Sequence, residues 1–214
     1  MLPPPQERPI YHFTHASNLP SVLEQGFLHC DRIVRKERTL RVECGDLDIK
    51  ERRRSRKVDP YPGGVVADYV PFYFAPRSPM LYKINKGGVP HYADGQDRLV
   101  YLVTTPRTLA ASGCTSVFSD GNCAADITVI ENDVSLLSTH VDWQVMGQER
   151  WNNTVEDPDR MRRRMAEFLV HERVPVEAIT QLAVRGAACA QTVRATLRAY
   201  GACAAVDVRP DWYY

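Results

Sequence analysis

Short apolar runs alternate along this chain with segments of helical periodicity. Runs rich in aromatic and β-branched residues predict strands at residues 10–14, 70–75, 99–103, 179–184 and 204–208. Proline has no N–H to give to a neighbouring strand. Pro71 therefore predicts that the second of these strands lies at the edge of a sheet, or that Pro71 stands at the start of the strand. The third run is continuous enough for a central strand. With the helices below, the pattern predicts an α+β or α/β fold.

Helices are predicted between these strands. Ser17 is expected to be the N-cap of a first helix that ends at Gly26, a second helix is expected over residues 46–57, and an amphipathic helix is expected over residues 189–200. The length of 214 residues predicts a single domain that spans residues 1–214.

One acidic residue, Glu167, stands in an otherwise apolar run over residues 166–170, directly after the block Arg162-Arg163-Arg164. Burying an unpaired carboxylate is costly, so this side chain lies on a helix surface or faces a cleft where it has a chemical role. A helix is predicted to begin at Asp157-Pro158. The sequence leaves open whether it ends near Arg164 or continues to Val170, which would pair Glu167 with Arg163 one turn earlier.

Basic residues are concentrated in two places although the formal net charge is only +1. Residues 50–57 hold six basic side chains in eight positions, and residues 160–164 hold four in five. Such clusters form either a local anion-binding face or a solvated helix surface, and composition favours neither. On the second predicted helix Ile49 and Arg53 share a face, so Arg53 is expected to point toward the protein body.

Several function classes find no support in the sequence. No run approaches the roughly 18 apolar residues of a membrane span, and no signal peptide is visible. The six cysteines contain no Cys-x-x-Cys pair, which predicts reduced thiols in a cytoplasmic protein. His12 and His15 would face opposite sides of a strand, so no metal site is expected. Glycine motifs of Rossmann domains and P-loops, and the Gly-x-Ser-x-Gly elbow, are absent.

The remaining candidates are His12 on an early strand, Arg53 on a helix face, the aromatic segment Phe72-Tyr73-Phe74, and Glu167. Each has a purely structural interpretation: a hydrogen-bonded core histidine, core aromatics, or a glutamate paired on a helix. The spacing of these residues does not decide between structure and catalysis.

Six blocks of sequence, in order, resemble the DarT family of bacterial toxins that ADP-ribosylate DNA. They are residues 11–15 with Asn18-Leu19, residues 49–53 with 62–64, residues 68–74 leading into 77–82, residues 119–122, residues 166–170, and the closing residues 212–214. The resemblance therefore extends from about residue 10 to the end of the chain.

This resemblance implies an α+β ADP-ribosyltransferase fold, with an NAD⁺ cleft between two small mixed β-sheets flanked by helices. It implies NAD⁺ as a substrate, no metal, and transfer of ADP-ribose to a thymine ring nitrogen in single-stranded DNA within a short sequence context. A monomer is expected, with a DarG-like macrodomain antitoxin as its partner. The alternatives are transfer to guanine, RNA or protein, or a nucleic-acid-binding module without catalysis.

The same resemblance implies roles for individual residues. Arg53 and Glu167 match the catalytic positions. The residues expected along NAD⁺ are His12, Phe13, Thr14, Ser21, His29 and Arg53, with residues 34–55 folding over the dinucleotide. Residues 122–167 are expected to form the region that reads DNA. The expected DNA contacts are Tyr73, Arg77, Met80, Asn122, Arg163 and Arg164, with Phe72, Tyr73 and Tyr82 as candidate stacking surfaces.

The chemistry explains why a glutamate would stand among apolar residues, and it favours a strand at the edge of the NAD⁺ cleft over a continuing helix for residues 166–170. When the bond between nicotinamide and ribose breaks, positive charge develops on the ribose, and a carboxylate stabilises it best where water is excluded. Arg53 is not expected to act as a base, because a guanidinium stays protonated in proteins. It is expected to hold the NAD⁺ phosphates or to stabilise the deprotonated target base.

Overall fold

The computed structural model describes residues 3–214. Its strands are β1 Ile10–His15, β2 Phe27–His29, β3 Tyr69–Tyr73, β4 Leu99–Thr104, β5 Ser116–Ser119, β6 Ile130–Glu131, β7 Glu167–His171, β8 Arg173–Pro175, β9 Gln181–Val184 and β10 Val206–Val208. Its α-helices are α1 Leu19–Gln25, α2 Asp31–Glu37, α3 Leu47–Ser55, α4 Pro79–Asn85, α5 Pro106–Ala111, α6 Leu137–His140, α7 Trp143–Met146, α8 Arg160–Arg164 and α9 Ala187–Ala199.

The strands form one large sheet and one small sheet. The large sheet has the order β10-β9-β4-β1-β3-β7-β5-β6, and β2 pairs with β8 in the small one. The α+β class is confirmed, but the strands are not divided into two sheets of similar size. Instead, two four-stranded halves of the large sheet meet at β1 and β3, which share the single registered pair Tyr11 and Tyr73. Beyond that pair the two strands diverge.

Pro71 lies in an interior strand, so its predicted edge position is wrong. β3 pairs with β7 along its whole length, and Pro71 stands opposite Leu169. In an antiparallel strand the N–H and C=O of one residue point to the same side. The Pro71 carbonyl faces β1, where it lies 2.8 Å from Nδ1 of His12. The missing N–H therefore faces the gap between β1 and β3, where no ladder bond is lost.

The helix boundaries differ from the predictions at two N-termini. Helix α1 begins at Leu19 with Asn18 as its N-cap residue, because a 3-10 turn over Ala16–Asn18 takes the place predicted for Ser17 as the cap. Helix α8 begins after Asp159 rather than at Asp157-Pro158. It ends at Arg164, and Glu167 opens strand β7. The prediction of a strand in this segment, rather than a continuing helix, is thus confirmed.

Apolar side chains cover both faces of the large sheet. One cluster joins Phe72, Leu102 and Phe168 to residues of α1 and α9. The other joins Tyr11, Tyr101 and Leu81 to Trp212 and Tyr213 near the end of the chain. The central strands are thereby fixed from both sides, and the residues at the β1–β3 gap are held on a rigid frame. None of the helices within residues 3–214 has the length and apolar character needed to cross a membrane.

Candidate active site

A cleft opens where β1 and β3 diverge. Its floor includes His12, Phe13 and Thr14 from β1 and Tyr73 from β3, with Glu167 at the start of β7. His12 and Phe13 are consecutive in a strand and so point to opposite faces. Both still line the cleft, which is consistent with an opening through the sheet rather than a depression on one face.

Arg53 and Glu167 form a buried ion pair in this cleft. Nη1 of Arg53 donates to both carboxylate oxygens of Glu167, at 2.9 Å to Oε1 and 2.7 Å to Oε2. The Glu167 side chain is only 2% exposed and that of Arg53 is 14% exposed. Burial acts to lower the pKa of Arg53, but the Glu167 carboxylate outweighs it and raises that pKa. The guanidinium is therefore charged, and its positive charge offsets the cost of burying the Glu167 side chain.

The second terminal nitrogen of Arg53 has no partner. Nη2 is buried, and it makes no hydrogen bond within residues 3–214. A buried, charged donor without an acceptor is costly, so its position at the cleft marks a place where a ligand oxygen can bind. Ile49 lies one turn before Arg53 on α3 and packs against the apolar cluster that contains Tyr11 and Leu81. This contact anchors the helix and so holds Arg53 at the cleft.

The backbone of Glu167 is fixed by Ser119 at the end of β5. The Glu167 N–H donates to Ser119 Oγ at 3.0 Å, and Ser119 Oγ donates in turn to the Gly121 carbonyl at 2.7 Å. Ser119 is fully buried. The start of β7 is thus tied directly to the loop that follows β5.

His12 presents a hydrogen-bond acceptor to the cleft. A carbonyl oxygen can only accept, so Nδ1 of His12 must donate to Pro71 O, and Nε2 keeps its lone pair. Burial lowers the pKa of His12 to about 4, opposed by the Pro71 hydrogen bond and assisted by the nearby positive charges of Lys50 and Arg53. At neutral pH the ring is therefore neutral, with one fixed tautomer.

Two aromatic rings line one side of the cleft. Phe13 and Tyr73 stack with 6.4 Å between ring centroids and 18° between ring planes. Burial and the neighbouring Glu167 carboxylate raise the pKa of Tyr73, so its hydroxyl stays protonated. The pair provides a flat, uncharged surface beside Glu167.

Helix α2, residues 39–46 and helix α3 cover the cleft, and the polar residues Asn18 and Lys50 hold them together. Asn18 accepts hydrogen bonds from the N–H groups of Arg41 and Val42 at 3.0 and 2.9 Å, and it donates to Val42 O and to Thr14 Oγ1. Lys50 on α3 pairs with Asp31 at 2.8 Å and also with Glu43. These contacts link α2, the segment over residues 39–46 and α3 into one cover.

All the residues predicted to contact NAD⁺ line this cleft. They are His12, Phe13, Thr14, Ser21, His29 and Arg53. Among the predicted DNA contacts, Tyr73, Met80 and Asn122 line the cleft as well. The structure thus brings the predicted catalytic, NAD⁺ and part of the DNA-contact residues into one place.

Two predicted DNA contacts need correction. Arg164 is 5% exposed and donates to the carbonyls of Met146 and Pro76, at 2.7 and 2.8 Å. Arg163 forms ion pairs with Asp142 and, at 2.5 Å, with Asp157. The Arg164 guanidinium is thus engaged inside the protein, and that of Arg163 is paired with carboxylates at a partly exposed position, so neither is an unpaired cation for a DNA phosphate in this conformation.

The remaining predicted DNA contacts lie outside the cleft lining. Phe72 is fully buried in the core, which rules it out as a stacking surface for a base. Tyr82 is 39% exposed and packs edge-on against Tyr214. The Arg77 guanidinium lies 4.6 Å from the centroid of the Tyr214 ring. Arg77 and Tyr82 therefore belong to an aromatic cluster at the end of the chain.

Sequence reasoning gave no role to Asn18, Lys50 or Ser119. Asn18 and Ser119 are buried polar residues, which the sequence cannot distinguish from exposed ones. One signal was available, because all three belong to the blocks that carry the DarT resemblance. Their partners lie far away in the sequence, so only the fold reveals what they hold.

Comparison with known proteins decides the family. The model of the family described as ssDNA thymidine ADP-ribosyltransferase, DarT, matches residues 11–214. The chain belongs to the DarT family. The family prediction made from the sequence is thus confirmed, and with it the class of enzyme, an NAD-dependent DNA ADP-ribosyltransferase.

Three relatives illustrate the match, from Mycobacterium tuberculosis, Thermus sp. 2.9 and Thermosipho africanus. The DNA ADP-ribosyl transferase of Mycobacterium tuberculosis is 37% identical over 218 residues, covering 99% of this chain and 93% of the relative. The DarT of Thermus sp. 2.9 in complex with ADP-ribosylated ssDNA superposes with a TM-score of 0.91 at 32% identity, covering 98% of each chain. The same protein in complex with NAD⁺ gives a TM-score of 0.88 at 30% identity, covering all of both chains.

The third relative is a longer protein. A DNA ADP-ribosyl transferase–DNA ADP-ribosyl glycohydrolase fusion protein of Thermosipho africanus is 27% identical over 183 residues. The match covers 84% of this chain and 43% of the fusion protein.

Proposed function

We propose that this chain transfers ADP-ribose from NAD⁺ to a ring nitrogen of thymine in single-stranded DNA, with Arg53 and Glu167 as its catalytic residues. The observation that carries the assignment of the site is the buried Arg53–Glu167 pair, in which Nη2 of Arg53 finds no partner among residues 3–214. The Thermus sp. 2.9 relative in complex with NAD⁺ supports the choice of donor.

NAD⁺ is proposed to bind along β1 beneath the cover over residues 39–46. His12 Nε2 is a fixed acceptor and suits a ribose hydroxyl or the amide of nicotinamide. The Phe13 ring offers an apolar surface to the nicotinamide. Arg53 Nη2 is the charged donor available to a phosphate or ribose oxygen. Ser21 and His29 would lie along the rest of the dinucleotide.

The reaction breaks the bond between ribose C1′ and nicotinamide and forms a bond from C1′ to N3 of thymine. Neutral nicotinamide leaves with the electron pair of the broken bond, and N3 loses its proton. Glu167 stabilises the positive charge that develops on the ribose, and its carboxylate accepts the N3 proton. The other acidic residues lining the cleft include Asp31 and Glu43, which are already paired with Lys50.

Single-stranded DNA is proposed to enter on the side of Tyr73, Met80 and Asn122. A target base must be unstacked to reach C1′, and a single strand presents it at the lowest energetic cost. Arg77 beside Tyr214 remains a candidate for a backbone contact at this side. The Thermus sp. 2.9 complex with ADP-ribosylated ssDNA supports this acceptor.

The test is mass spectrometry of a defined oligonucleotide that contains one thymine, after incubation with the protein and NAD⁺. The expected result is the mass of one added ADP-ribose, located on the thymine nucleotide by fragmentation, together with released nicotinamide. The matched control oligonucleotide has cytosine in place of thymine and should stay unmodified. Modification of RNA, protein or guanine in parallel reactions, with none on thymine, would overturn the assignment of the acceptor.

A macrodomain antitoxin that removes the modification is proposed as the partner of this chain. The Thermosipho africanus fusion protein supports the proposal, since its name joins a DNA ADP-ribosyl transferase to a DNA ADP-ribosyl glycohydrolase. Action as a monomer in the cytoplasm is proposed as well, in keeping with six free cysteines and a DNA substrate. Reversal of the oligonucleotide modification by a co-expressed macrodomain would test the pairing.

A further inference from the structure

Asn122 follows β5 in the loop that is tied to Glu167, and every polar atom of this residue except one is already engaged. Its N–H donates to Arg162 O at 3.0 Å. Its carbonyl accepts from Ala125 N–H at 2.9 Å and from Thr128 Oγ1 at 2.7 Å. Its side-chain Oδ1 accepts from Ala124 N–H at 2.9 Å. Because a backbone N–H needs an acceptor, this last bond fixes which end of the amide is oxygen.

The loop around Asn122 is held from below by Arg162. Nη1 of this arginine donates to Asp120 at 3.0 Å and to Thr128 Oγ1 at 3.2 Å, and its Nη2 pairs with Asp159 at 2.7 Å. A side chain at Gly121 would collide with the same guanidinium. The backbone of Asn122 therefore has little freedom, and its side chain is held in one orientation.

Nδ2 is the atom that remains. Within residues 3–214 it donates no hydrogen bond, and Asn122 lines the cleft together with Glu167. The residue before Asn122 is tied to Glu167 through Ser119: the Gly121 carbonyl accepts from Ser119 Oγ, which accepts from Glu167 N–H. The cleft that holds Glu167 is thus also lined by an amide whose oxygen is fixed by Ala124 N–H and whose Nδ2 has two hydrogens to donate.

We infer that Asn122 Nδ2 donates a hydrogen bond to O4 of the target thymine and stabilises the negative charge that this base acquires. The inference rests on the proposed function, in which thymine loses its N3 proton. That proton lies between two carbonyl groups, and as it leaves, the negative charge spreads onto O2 and O4. A donor already fixed in position stabilises that charge without reorganising during the reaction.

The same donor makes Asn122 a specificity-determining residue. Cytosine and adenine carry an amino group where thymine has O4, so a donor at that position would face another donor. Both bases also lack a proton on the ring nitrogen beside that group. Bases with an N–H next to a carbonyl group are accepted by this contact, which admits thymine and guanine and excludes cytosine and adenine.

The test compares wild type with Asn122→Asp, on oligonucleotides whose single target is either thymine or 5-fluorouracil. Aspartate keeps an oxygen for the Ala124 N–H but has no donor. The matched control is Asn132→Asp, the same change of charge at an exposed residue outside the cleft. NAD⁺ binding by calorimetry and the melting temperature are measured for all three proteins. 5-Fluorouracil has a more acidic imide and needs less help to lose its proton.

The expected result for Asn122→Asp is a loss of roughly 10- to 100-fold in kcat/KM on thymine, the range for a hydrogen bond to a charged group. The loss on 5-fluorouracil should be clearly smaller, with NAD⁺ binding unchanged and Asn132→Asp like wild type. Equal losses on the two bases, no loss, or loss of NAD⁺ binding would each overturn the role of Asn122. Failure of wild type itself to modify thymine would instead overturn the proposed function.

Discussion

Both carboxylate oxygens of Glu167 accept hydrogen bonds from the same nitrogen of Arg53, Nη1, and the other terminal nitrogen, Nη2, makes none within the described residues 3–214. A fork-to-fork pair would use both nitrogens of the arginine for the glutamate. Here one nitrogen holds the carboxylate and the other is left for a ligand. The geometry therefore assigns two separate tasks to one side chain.

Arg53→Lys should separate these tasks. A lysine ammonium can still pair with Glu167, so the fold should be kept, but it has no second planar nitrogen to offer a ligand. We expect NAD⁺ binding to weaken and turnover to fall by about 10-fold or more, the cost of one charge-assisted hydrogen bond. Calorimetry with NAD⁺ and an oligonucleotide assay measure the two effects. Full turnover in this variant would contradict the role of Nη2.

Glu167→Gln should lower transfer by roughly a hundredfold and destabilise the fold less than Glu167→Ala does. Glutamine still accepts from Arg53 but carries no charge, so about 3 kcal/mol of electrostatic stabilisation is lost, roughly a hundredfold in kcat. Glu167→Ala should in addition lower the melting temperature, because it leaves the Arg53 charge buried and unpaired at a cost of about 3–5 kcal/mol. Glu24→Gln, at an exposed position on α1, is the matched control. Transfer by Glu167→Gln at the wild-type rate would refute a catalytic role.

His12→Asn should flatten the dependence of stability on pH. The pKa of His12 is about 4 in the folded protein and about 6.5 in the unfolded chain, so the unfolded chain binds the extra proton as pH falls. Stability from this group is complete above about pH 6.5 and is lost progressively toward pH 4. The loss is on the order of 3 kcal/mol, from about 1.4 kcal/mol per pKa unit.

Denaturant unfolding of wild type and variant at pH 7 and pH 5 measures this difference. Asparagine can still donate to Pro71 O, so the variant should fold and lose less stability between the two pH values. His91→Asn, at an exposed position, should behave like wild type. Parallel pH curves for His12→Asn and wild type would show that burial does not suppress the charge of His12.

Asn18→Ala should release the cover of the cleft. The variant loses the four hydrogen bonds that hold Arg41, Val42 and Thr14 to Asn18. NAD⁺ must then order the segment over residues 39–46 when it binds, so its Kd should rise by roughly 10-fold while kcat at saturating NAD⁺ stays near wild type. Limited proteolysis should cut this segment faster, and NAD⁺ should restore protection. If Asn18→Ala and Asn132→Ala show the same cleavage rate and the same NAD⁺ affinity, Asn18 does not hold the cover in place.

Much of the site could be predicted from the sequence, because the periodicity of apolar residues indicates which side chains point toward the protein interior. The shared helix face of Ile49 and Arg53, and an apolar run around Glu167, indicated the two catalytic positions. The sequence could not show that Arg163 and Arg164 are already paired within the chain, because acceptors such as Pro76 O and Asp142 come from other parts of it. The same limit applies to Pro71, whose interior strand depends on a gap between β1 and β3 that no periodicity encodes.

Tyr73 of β3 pairs with Tyr11 of β1 where the two halves of the large sheet meet, and the double role of β3 at this junction limits how the site can vary. Strand β3 alternates between buried residues such as Phe72 and cleft-lining residues such as Tyr73, so one short strand builds both the interior and the substrate surface. A substitution there changes the fold and the chemistry together. New acceptor preferences can therefore arise most freely in two loops that contribute to the cleft lining, residues 39–46 and 120–128. Across related toxins, diversity of the DNA target is expected to follow the second of these loops.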